Sequence, residues 1–214
     1  MALQKIWKLK GFGGSEQLEL SQAEIPNASE DQVIIKNEAI GLNYLDIYFR
    51  TALYPWPNQE EIKILGSEAA GTVTEIGAGV KHLKVGDRVV YVVPVGAYAE
   101  YVSVHSKHVA KIPDPVSFDT AAASLLKGIT AYYLLHDTFS LKSGQTALVH
   151  AAAGGVGQLL GQWGSEIGAI MIGTAGGKDK CKTASAAKYD HVIDYNAQDF
   201  VAEVMRITNN QKVH

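Results

Sequence analysis

The segment His150-Ala-Ala-Ala-Gly-Gly-Val-Gly-Gln-Leu-Leu-Gly-Gln-Trp-Gly164 has three alanines and three glycines in the seven positions 151–157. It follows the apolar run Ala147-Leu148-Val149 and leads into a segment with helical spacing. A glycine inside a regular element costs roughly 0.5–1 kcal/mol relative to alanine, so such a cluster needs a reason beyond side-chain packing. A strand, a turn of small residues and a helix in immediate succession are the context of a dinucleotide-binding fingerprint.

The spacing of this turn is Ala151-x-x-Gly154-x-x-Gly157, with alanine at the first position of the usual three glycines. Small residues let the backbone approach a diphosphate, and the N–H groups at the helix start attract the anion. The sequence therefore predicts a diphosphate-binding turn. The alternative is a tight turn in which glycine serves only packing, and Gly161 and Gly164 in the following helix belong to that second class.

Strands and helices alternate around this turn, which predicts a parallel sheet with crossover helices. The predicted elements are a strand at Thr146–His150, a helix at Val156–Ile167, a strand at Ala169–Thr174, a helix at Lys178–Lys188, a strand at His191–Tyr195 and a helix at Gln198–Ile207.

The first half of the chain, from Leu3 to about Pro115, has short apolar stretches broken by turn residues and is predicted to be an irregular β-barrel. A helical pattern follows between Ser117 and Asp137, with Ser117 or Asp119 as its N-cap. We place the domain junction there, between domains 1–125 and 126–214. The strands expected before the junction are Gln32–Lys36, Ala70–Ile76, Arg88–Val93 and Tyr98–Val104.

The region about twenty residues after the fingerprint bears on the choice between NAD and NADP. NAD-binding proteins have an acidic residue there for the ribose 2′-hydroxyl, whereas this chain has Ile172-Gly-Thr-Ala-Gly-Gly177. Lys178, Lys180 and Lys182 follow, and their positive charge suits a 2′-phosphate, so NADP is favoured. The alternative is a solvated helix face, which is the better explanation for Lys178 and Lys182.

The composition is that of an ordinary globular protein, with 47% hydrophobic and 19% charged residues and a formal net charge of −3. It predicts no general attraction for nucleic acid or for an anionic membrane surface. Cys181 is the single cysteine, which excludes an intramolecular disulfide and fits a reducing cytoplasm. We expect no signal peptide, no membrane span and no metal site, since the seven histidines lack metal-binding spacing.

Several motifs together resemble the NADPH-dependent quinone oxidoreductases, the zeta-crystallin-like, zinc-free branch of the medium-chain dehydrogenase/reductase superfamily. The resemblance implies a two-domain α/β fold, with a GroES-like irregular β-barrel followed by a partial, first-half Rossmann sheet. Zinc-dependent relatives have a cysteine ligand near Asn43 and Gly-His-Glu in place of Gly66-Ser67-Glu68. The motifs are Ala39–Arg50, Gly66–Gly71, Val85–Val89, Leu126–Ala131 and Ala151–Gly157.

The resemblance also implies roles for single residues. Tyr48 and Tyr54 are the candidate catalytic residues, with Tyr48 beside the cofactor as a proton or hydrogen-bond partner and Tyr54 near the quinone. From the residues alone, Asn43 and Asp46 are equally well explained as caps of a turn, and the two tyrosines as half-buried aromatics. The implied cofactor-binding residues are Asn43, Asp46, Tyr48, Thr130, Ala153, Gly154, Gly155, Val156, Gly157, Thr174, Gly176, Lys180 and Tyr195.

The implied function is the transfer of reducing equivalents from NADPH to a small-molecule quinone in a cleft between the two domains. The alternatives are an NADPH-dependent reductase of activated C=C bonds and a truncated, non-catalytic nucleotide-binding protein. Members of the family continue beyond the position of His214, so the sequence predicts that the strand Thr146–His150 becomes a sheet edge. The chain is then a fragment, has a rearranged core, or forms a homodimer or higher homo-oligomer that covers this edge.

Overall fold

The computed structural model describes residues 2–57 and 61–214. These form two compact units, unit 1 (Met1–Leu126) and unit 2 (Lys127–His214). Each unit has its own buried apolar cluster, so each is described by itself.

Unit 1 is mostly antiparallel β-structure, as the short apolar stretches predict. Its main sheet has the strand order β6-β3-β4-β5-β7, and β1 and β2 pair as a separate hairpin. The strands are β1 (Leu3–Leu9), β2 (Leu18–Glu24), β3 (Gln32–Gly41), β4 (Glu68–Ile76), β5 (Arg88–Val92), β6 (Tyr101–His105) and β7 (Val109–Lys111), and the first helix is α1 (Tyr44–Arg50). The helix α2 (Phe118–Tyr133) includes the last residues of unit 1 and the first of unit 2.

Alternation along β5 shows how the main sheet of unit 1 is buried on both faces. Val89 and Tyr91 belong to one apolar cluster, with Val33 and Ile35 of β3. Val90, between them, points to the other face and packs with residues at the start of α2. The helix α2 begins after Ser117, whose hydroxyl oxygen accepts a hydrogen bond from Thr120 N at 3.1 Å, so Ser117 is its N-cap.

Two predicted strands of unit 1 differ from the structure by more than two residues at one end. Strand β3 continues to Gly41 instead of ending at Lys36, because irregularities in its pairing with β4 interrupt the alternation that the sequence would show. The predicted strand Tyr98–Val104 begins only at Tyr101, since Tyr98 N donates to Leu65 O in a loop. The helix α1 was not predicted, because it has only seven residues.

Unit 2 contains a parallel three-stranded sheet with the order β10-β9-β8, which confirms the predicted first half of a Rossmann fold. The predicted helix ending at Lys188 ends at Ala186, because Lys188 adopts a left-handed conformation with φ 63°. The elements are β8 (Thr146–Val149), α3 (Gly155–Ile167), β9 (Ile170–Ala175), α4 (Lys178–Ala186), β10 (His191–Asp194) and α5 (Phe200–Ile207).

The helix α3 lies unusually close to the sheet and the segment before β10. A Cβ atom on Gly161 would be 2.5 Å from the carbonyl oxygen of Ala187 and would overlap the Tyr189 ring. A Cβ atom on Gly164 would be 2.6 Å from Cε of Met171. The packing explanation of these two glycines is therefore confirmed.

Strand β8 is at the edge of this sheet, as the sequence predicts for a first-half Rossmann unit. Its first residue, Thr146, exchanges two hydrogen bonds with His214, at 3.0 Å each. Among the residues that the structure describes, β9 is the one strand that pairs with β8. No helix within the described ranges is long and apolar enough to cross a membrane.

The contact of Gly161 with Tyr189 gives a stability prediction. Gly161→Ala should lower the free energy of unfolding by about 1–3 kcal/mol, because the added methyl group meets backbone as well as the ring. The matched control is Gly128→Ala on α2, where an added Cβ meets nothing within 4 Å and the change should be neutral or stabilising. Urea unfolding of both variants measures the difference, and equal stabilities would contradict the close packing.

Candidate functional site

The turn between β8 and α3 is held in a defined shape by backbone hydrogen bonds. Ala151 has a positive φ of 53°, and Gly154 N donates to Ala151 O at 2.8 Å. Ala152 N donates to Thr174 O at 3.0 Å, which connects the turn to β9. Gln158 N makes the first bond of the helix, to Gly154 O at 2.8 Å. The N–H groups of residues 155–157 precede that bond and lie at the positive end of the helix dipole.

The glycines of this turn are required for two different physical reasons. Gly157 is buried, and a Cβ atom there would be 2.8 Å from both Cα and the carbonyl oxygen of Ala152, so it serves packing. Gly154 and Gly155 are exposed, and the nearest atom to a Cβ on Gly154 is Ala151 O at 3.1 Å. The turn thus has a closed inner side at Gly157 and an exposed outer side at Gly154 and Gly155, where a Cβ atom on Gly155 would be 2.6 Å from Cδ of Lys127.

The open side of the turn fits an anion such as a diphosphate. Its shape is stabilised from within, since Gln158 Nε2 donates to Ala153 O at 3.0 Å. Residues 146–165 contain no aspartate or glutamate, so no carboxylate of this segment opposes a bound anion. The diphosphate roles predicted for Ala153, Gly154, Gly155, Val156 and Gly157 stay predictions that this geometry supports.

The ends of β9 and β10 form a second part of the candidate nucleotide site in unit 2. A Cβ atom on Gly176 would be 2.6 Å from the Tyr195 hydroxyl oxygen, so the half-exposed Tyr195 ring lies directly against Gly176. Thr174 is 1% exposed, and its hydroxyl oxygen is 2.9 Å from Nδ1 of His150. Thr174 therefore contacts the turn between β8 and α3 twice, through its carbonyl oxygen at Ala152 and through its hydroxyl group at His150.

Asp194 is a functional candidate that sequence reasoning missed. One of its carboxylate oxygens accepts from Gly177 N at 2.8 Å and from Asn196 N at 3.0 Å. Gly177 has a positive φ of 89°, which glycine adopts without strain, so this carboxylate stabilises a turn before α4 whose conformation favours glycine. The available signal was an acidic residue at a strand end, directly before Tyr195-Asn196.

The three lysines of α4 differ in their contacts. Lys182 Nζ is 3.7 Å from Asp179 Oδ1, and both side chains are highly exposed. Within the described part of the chain, Lys180 makes no ion pair, which leaves its ammonium group for an incoming anion. The solvated-face explanation thus suits Lys182, and the 2′-phosphate role of Lys180 stays a prediction. Thr130, also predicted to contact the cofactor, lies on α2 in unit 2.

In unit 1, Asn43 and Asp46 stand at the beginning of α1. Asn43 N donates to Asp46 Oδ2 at 2.8 Å, and Asp46 N donates to Asn43 O at 3.1 Å. The interpretation of these residues as caps of a turn is therefore confirmed. Their cofactor contacts stay predictions, and the Asp46 side chain itself is 5% exposed and hydrogen-bonded within the unit.

A buried polar network joins this helix start to the Gly66-Ser67-Glu68 motif. Asn43 Nδ2 donates to Glu68 Oε1 at 2.9 Å, and Leu126 N donates to Glu68 Oε2 at 2.7 Å. The Tyr98 hydroxyl donates to Asp46 Oδ2 at 3.0 Å. Ser67 Oγ is 3.0 Å from both Asp46 Oδ1 and Pro94 O. Sequence reasoning did not assign site roles to Ser67, Glu68 or Tyr98, because their contacts join segments far apart in the chain.

Burial changes the acid–base behaviour of this network. Loss of hydration raises the pKa of Asp46, and the negative charge of Glu68 adds to that effect, against the hydrogen bonds from Asn43, Ser67 and Tyr98. Burial also raises the pKa of Tyr98, and the Asp46 carboxylate raises it further. Tyr98 is therefore held as a protonated hydrogen-bond donor.

The two predicted catalytic tyrosines are brought together in unit 1. The ring centroids of Tyr48 and Tyr54 are 5.3 Å apart, at an interplanar angle of 47°. Tyr54 N donates to Tyr48 O at 3.1 Å, and Phe49 packs edge-on against Tyr54 at 6.0 Å. Tyr48 is half-buried and Tyr54 is 46% exposed, so the pair forms an accessible aromatic surface.

The side chains that could bind a metal ion do not cluster in the described part of the chain. Within residues 2–57 and 61–214, no group of three or more histidine, cysteine, aspartate or glutamate side chains could hold an ion. The resemblance implies that zinc-dependent relatives have a cysteine ligand near Asn43 and a histidine at the position of Ser67, which precedes Glu68. In this chain the side chains of Asn43, Ser67 and Glu68 take part in the hydrogen bonds of the buried network.

Comparison with known proteins extends this description. Residues 29–114 match the alcohol dehydrogenase GroES-like domain. Over 202 residues the chain is 43% identical to quinone oxidoreductase 1 of Escherichia coli strain K12, an alignment of 94% of this chain and 61% of that protein. It is 37% identical over 205 residues to the 2-haloacrylate reductase of a Burkholderia species, with coverages of 94% and 62%.

A solved structure of similar fold is the Escherichia coli quinone oxidoreductase complexed with NADPH. The TM-score is 0.92 at 41% sequence identity, over 99% of this chain and 64% of that chain. The chain therefore spans less than two thirds of the length of the relatives that it matches. Both units are included in the matched part.

The raised pKa of Asp46 predicts a specific pH dependence of stability. The folded state binds the Asp46 proton more tightly than the unfolded state does. Protonation of Asp46 therefore adds to the free energy of unfolding at pH values near the ordinary pKa of 3.8, and this contribution is lost as the pH rises. Asp46→Asn lacks this titration, so relative to wild type its free energy of unfolding should increase by on the order of 1 kcal/mol between pH 4 and pH 8.

Hydrogen bonding favours the asparagine variant at neutral pH. An amide at position 46 can donate to Ser67 Oγ, which leaves the Ser67 hydroxyl to donate to Pro94 O. Urea unfolding across the pH range is the measurement, with Asp114→Asn, an exposed residue of the same unit, as the control. A constant difference between wild type and Asp46→Asn at all pH values would contradict the assignment.

Proposed function

The chain is homologous to the quinone oxidoreductases and belongs with them to the medium-chain dehydrogenase/reductase superfamily, and from this premise we propose that it transfers reducing equivalents from NADPH to a quinone. The observation that carries the proposal is the open turn at Gly154 and Gly155, at the start of α3 in a half-Rossmann unit. A similar structure, from Escherichia coli, is complexed with NADPH.

In unit 2, the diphosphate would lie against the N–H groups that precede the first bond of α3, between Ala153 and Gly157. The adenosine 2′-phosphate would be held by Lys180, with the Tyr195 ring and Gly176 beside the adenosine. Thr174 would act through the turn that its carbonyl stabilises. The residues at the diphosphate are small, and the residue at the 2′-phosphate is positively charged. NADPH requires this combination.

In unit 1, Asn43, Asp46 and Tyr48 would contact the nicotinamide half of the cofactor. NADPH supplies a hydride when it is bound, and the protein contributes binding, orientation and exclusion of water. The Tyr48 hydroxyl is the proposed proton donor to the oxygen of the acceptor, and Tyr54 packs against the Tyr48 ring. The hydrogen bonds of Asn43 and Asp46 hold the start of α1 and thereby position Tyr48.

A second candidate function is the reduction of an activated C=C bond. It is favoured by the 37% identity to a 2-haloacrylate reductase, a protein named for an activated alkene. The same hydride source and the same tyrosine would serve either acceptor. The two functions therefore differ in the acceptor and not in the cofactor.

The proposed assembly is a homodimer or higher homo-oligomer in which a second copy covers the edge of β8. Its support is the edge position of that strand, since an apolar edge without protecting charges favours association. We also propose a cytoplasmic location, which the single, half-buried Cys181 supports.

Turnover measurements test the proposed reaction. The protein should oxidise NADPH in the presence of a simple benzoquinone, with a higher kcat/KM than for NADH and a higher kcat/KM than for 2-chloroacrylate. Tyr48→Phe should lower kcat more than it changes KM, because the lost hydroxyl acts on the acceptor during the reaction. A preference for 2-chloroacrylate would favour the second candidate, and NADPH binding without any oxidation would contradict both.

The mass of the protein in solution tests the proposed assembly. Size-exclusion chromatography with light scattering at micromolar concentration should give at least twice the chain mass of 23.0 kDa. Leu148→Lys, on β8 and outside the apolar cluster of unit 2, should shift the distribution towards the monomer, because a charge on an edge strand opposes pairing. A soluble monomer of the unaltered chain would overturn the proposal.

A further inference from the structure

The carboxylate of Asp194 lies at the start of α4, next to the residues proposed to surround the 2′-phosphate of NADPH. Asp194 is the last residue of β10, and its Oδ1 accepts hydrogen bonds from Gly177 N at 2.8 Å and from Asn196 N at 3.0 Å. Gly177 directly precedes α4 and directly follows Gly176, which lies against the Tyr195 ring. Asp194 and Tyr195 therefore contact two successive glycines, Gly177 and Gly176.

The start of a helix attracts negative charge, because its first N–H groups have no partner in the helix and its dipole is positive there. In α4 the first helical hydrogen bond runs from Cys181 N to Gly177 O at 3.0 Å. The N–H group of Gly177, which precedes that bond, already donates to the Asp194 carboxylate. The chain therefore supplies a negative charge of its own at this helix start.

A second carboxylate near this helix start is placed differently. Asp179 belongs to the first turn of α4, but its side chain is 99% exposed and its Oδ1 is 3.7 Å from Lys182 Nζ. Water and the lysine therefore screen its charge. Asp194 is half-buried and makes no ion pair within the described part of the chain. Its charge is the less screened of the two.

The thiol of Cys181 is an independent indicator of the charge of Asp194. Burial raises the pKa of this thiol, and the negative charge of Asp194 raises it further. Cys181 directly follows Lys180, the residue proposed to hold the 2′-phosphate. The electrostatic effect of the Asp194 carboxylate therefore extends to the first turns of α4.

The two nucleotides differ in what they would place near this carboxylate. A phosphate monoester carries about two negative charges at neutral pH, whereas the ribose 2′-hydroxyl of NADH is uncharged. We propose that Asp194 is a specificity-determining residue whose carboxylate disfavours the 2′-phosphate and so limits the preference for NADPH over NADH. The inference rests on the proposed function and gives Asp194 a role opposite to that of Lys180.

Dissociation constants for NADPH and NADH, measured by cofactor fluorescence, test this role. Asp194→Asn removes the charge and keeps an oxygen at the Oδ1 position, so both backbone hydrogen bonds can be retained. The variant should bind NADPH about fivefold more tightly, which is the effect expected of one partly screened charge, and should bind NADH as wild type does. Lys180→Ala should change the affinity for NADPH in the opposite direction.

The controls separate the charge from the structure of the turn. The pH dependence of Cys181 alkylation should give a lower thiol pKa in Asp194→Asn than in wild type, because the neighbouring charge is removed. Asp190→Asn is the matched control, since Asp190 precedes the opposite end of β10 and accepts from Met171 N at 2.7 Å. It should alter neither the nucleotide affinities nor the thiol pKa.

A second neutral variant, Asp194→Ser, replaces Asp194→Asn if the latter does not fold. A serine hydroxyl forms the same type of turn, with the backbone N–H two residues further on, although more weakly. The melting temperature of each variant shows whether it is folded under the conditions of the binding measurement.

The outcomes distinguish this inference from the proposed function. Unchanged or weaker binding of NADPH by the folded neutral variant would overturn the role of Asp194 and leave the proposed function intact. A loss restricted to NADH would also overturn it, since Asp194 would then accept a hydrogen bond from the ribose. An unchanged thiol pKa would overturn the placement of the charge at α4, and with it the inference. Absence of binding of either nucleotide to wild type would overturn both.

Discussion

The structure of unit 2 depends on the small size of Ala152 and Gly157, which lie in contact with each other. Ala152 is completely buried, with Gly157 on one side of it and Gly173 of β9 on the other, where a Cβ would be 2.7 Å from the Ala152 methyl group. This packing lets the chain leave β8 and enter α3 within a few residues. Gly154 and Gly155, at the start of the helix, are exposed on the opposite side of this packing. The proposed diphosphate site thus lies where the packing of the helix on the sheet leaves the turn accessible.

Unit 1 is organised by a different constraint, the burial of two carboxylates. Asp46 and Glu68 are 5% and 0% exposed, and each is stable there because it accepts hydrogen bonds from more than one donor. The donors come from α1, from the loop at Tyr98 and from α2. A buried polar network of this kind specifies one arrangement of the segments that it joins. It therefore holds the start of α1 and, through it, the aromatic pair of Tyr48 and Tyr54.

The parts of the fold that were predictable are those with a local pattern. The alternation of strands and helices from Thr146 to Ile207 was sufficient for the half-Rossmann sheet, and the spacing of Gly154 and Gly157 was sufficient for the turn. The seven residues of α1 have no such pattern. The distinct reasons for Gly155 and Gly157 were equally inaccessible, because they depend on Lys127 and Ala152, which are brought near by folding. The same holds for Tyr98, whose contact with Asp46 spans 52 positions.

The contact of the Tyr195 ring with Gly176 restricts how this chain can change over evolutionary time. A Cβ atom at position 176 would be 2.6 Å from the Tyr195 hydroxyl oxygen, so a carboxylate suited to a ribose hydroxyl can be introduced there only if the half-exposed tyrosine side chain turns away. A replacement at position 176 therefore also changes the position of the aromatic ring. Glycine and tyrosine at these two positions are accordingly coupled, and a change of nucleotide preference through position 176 involves both.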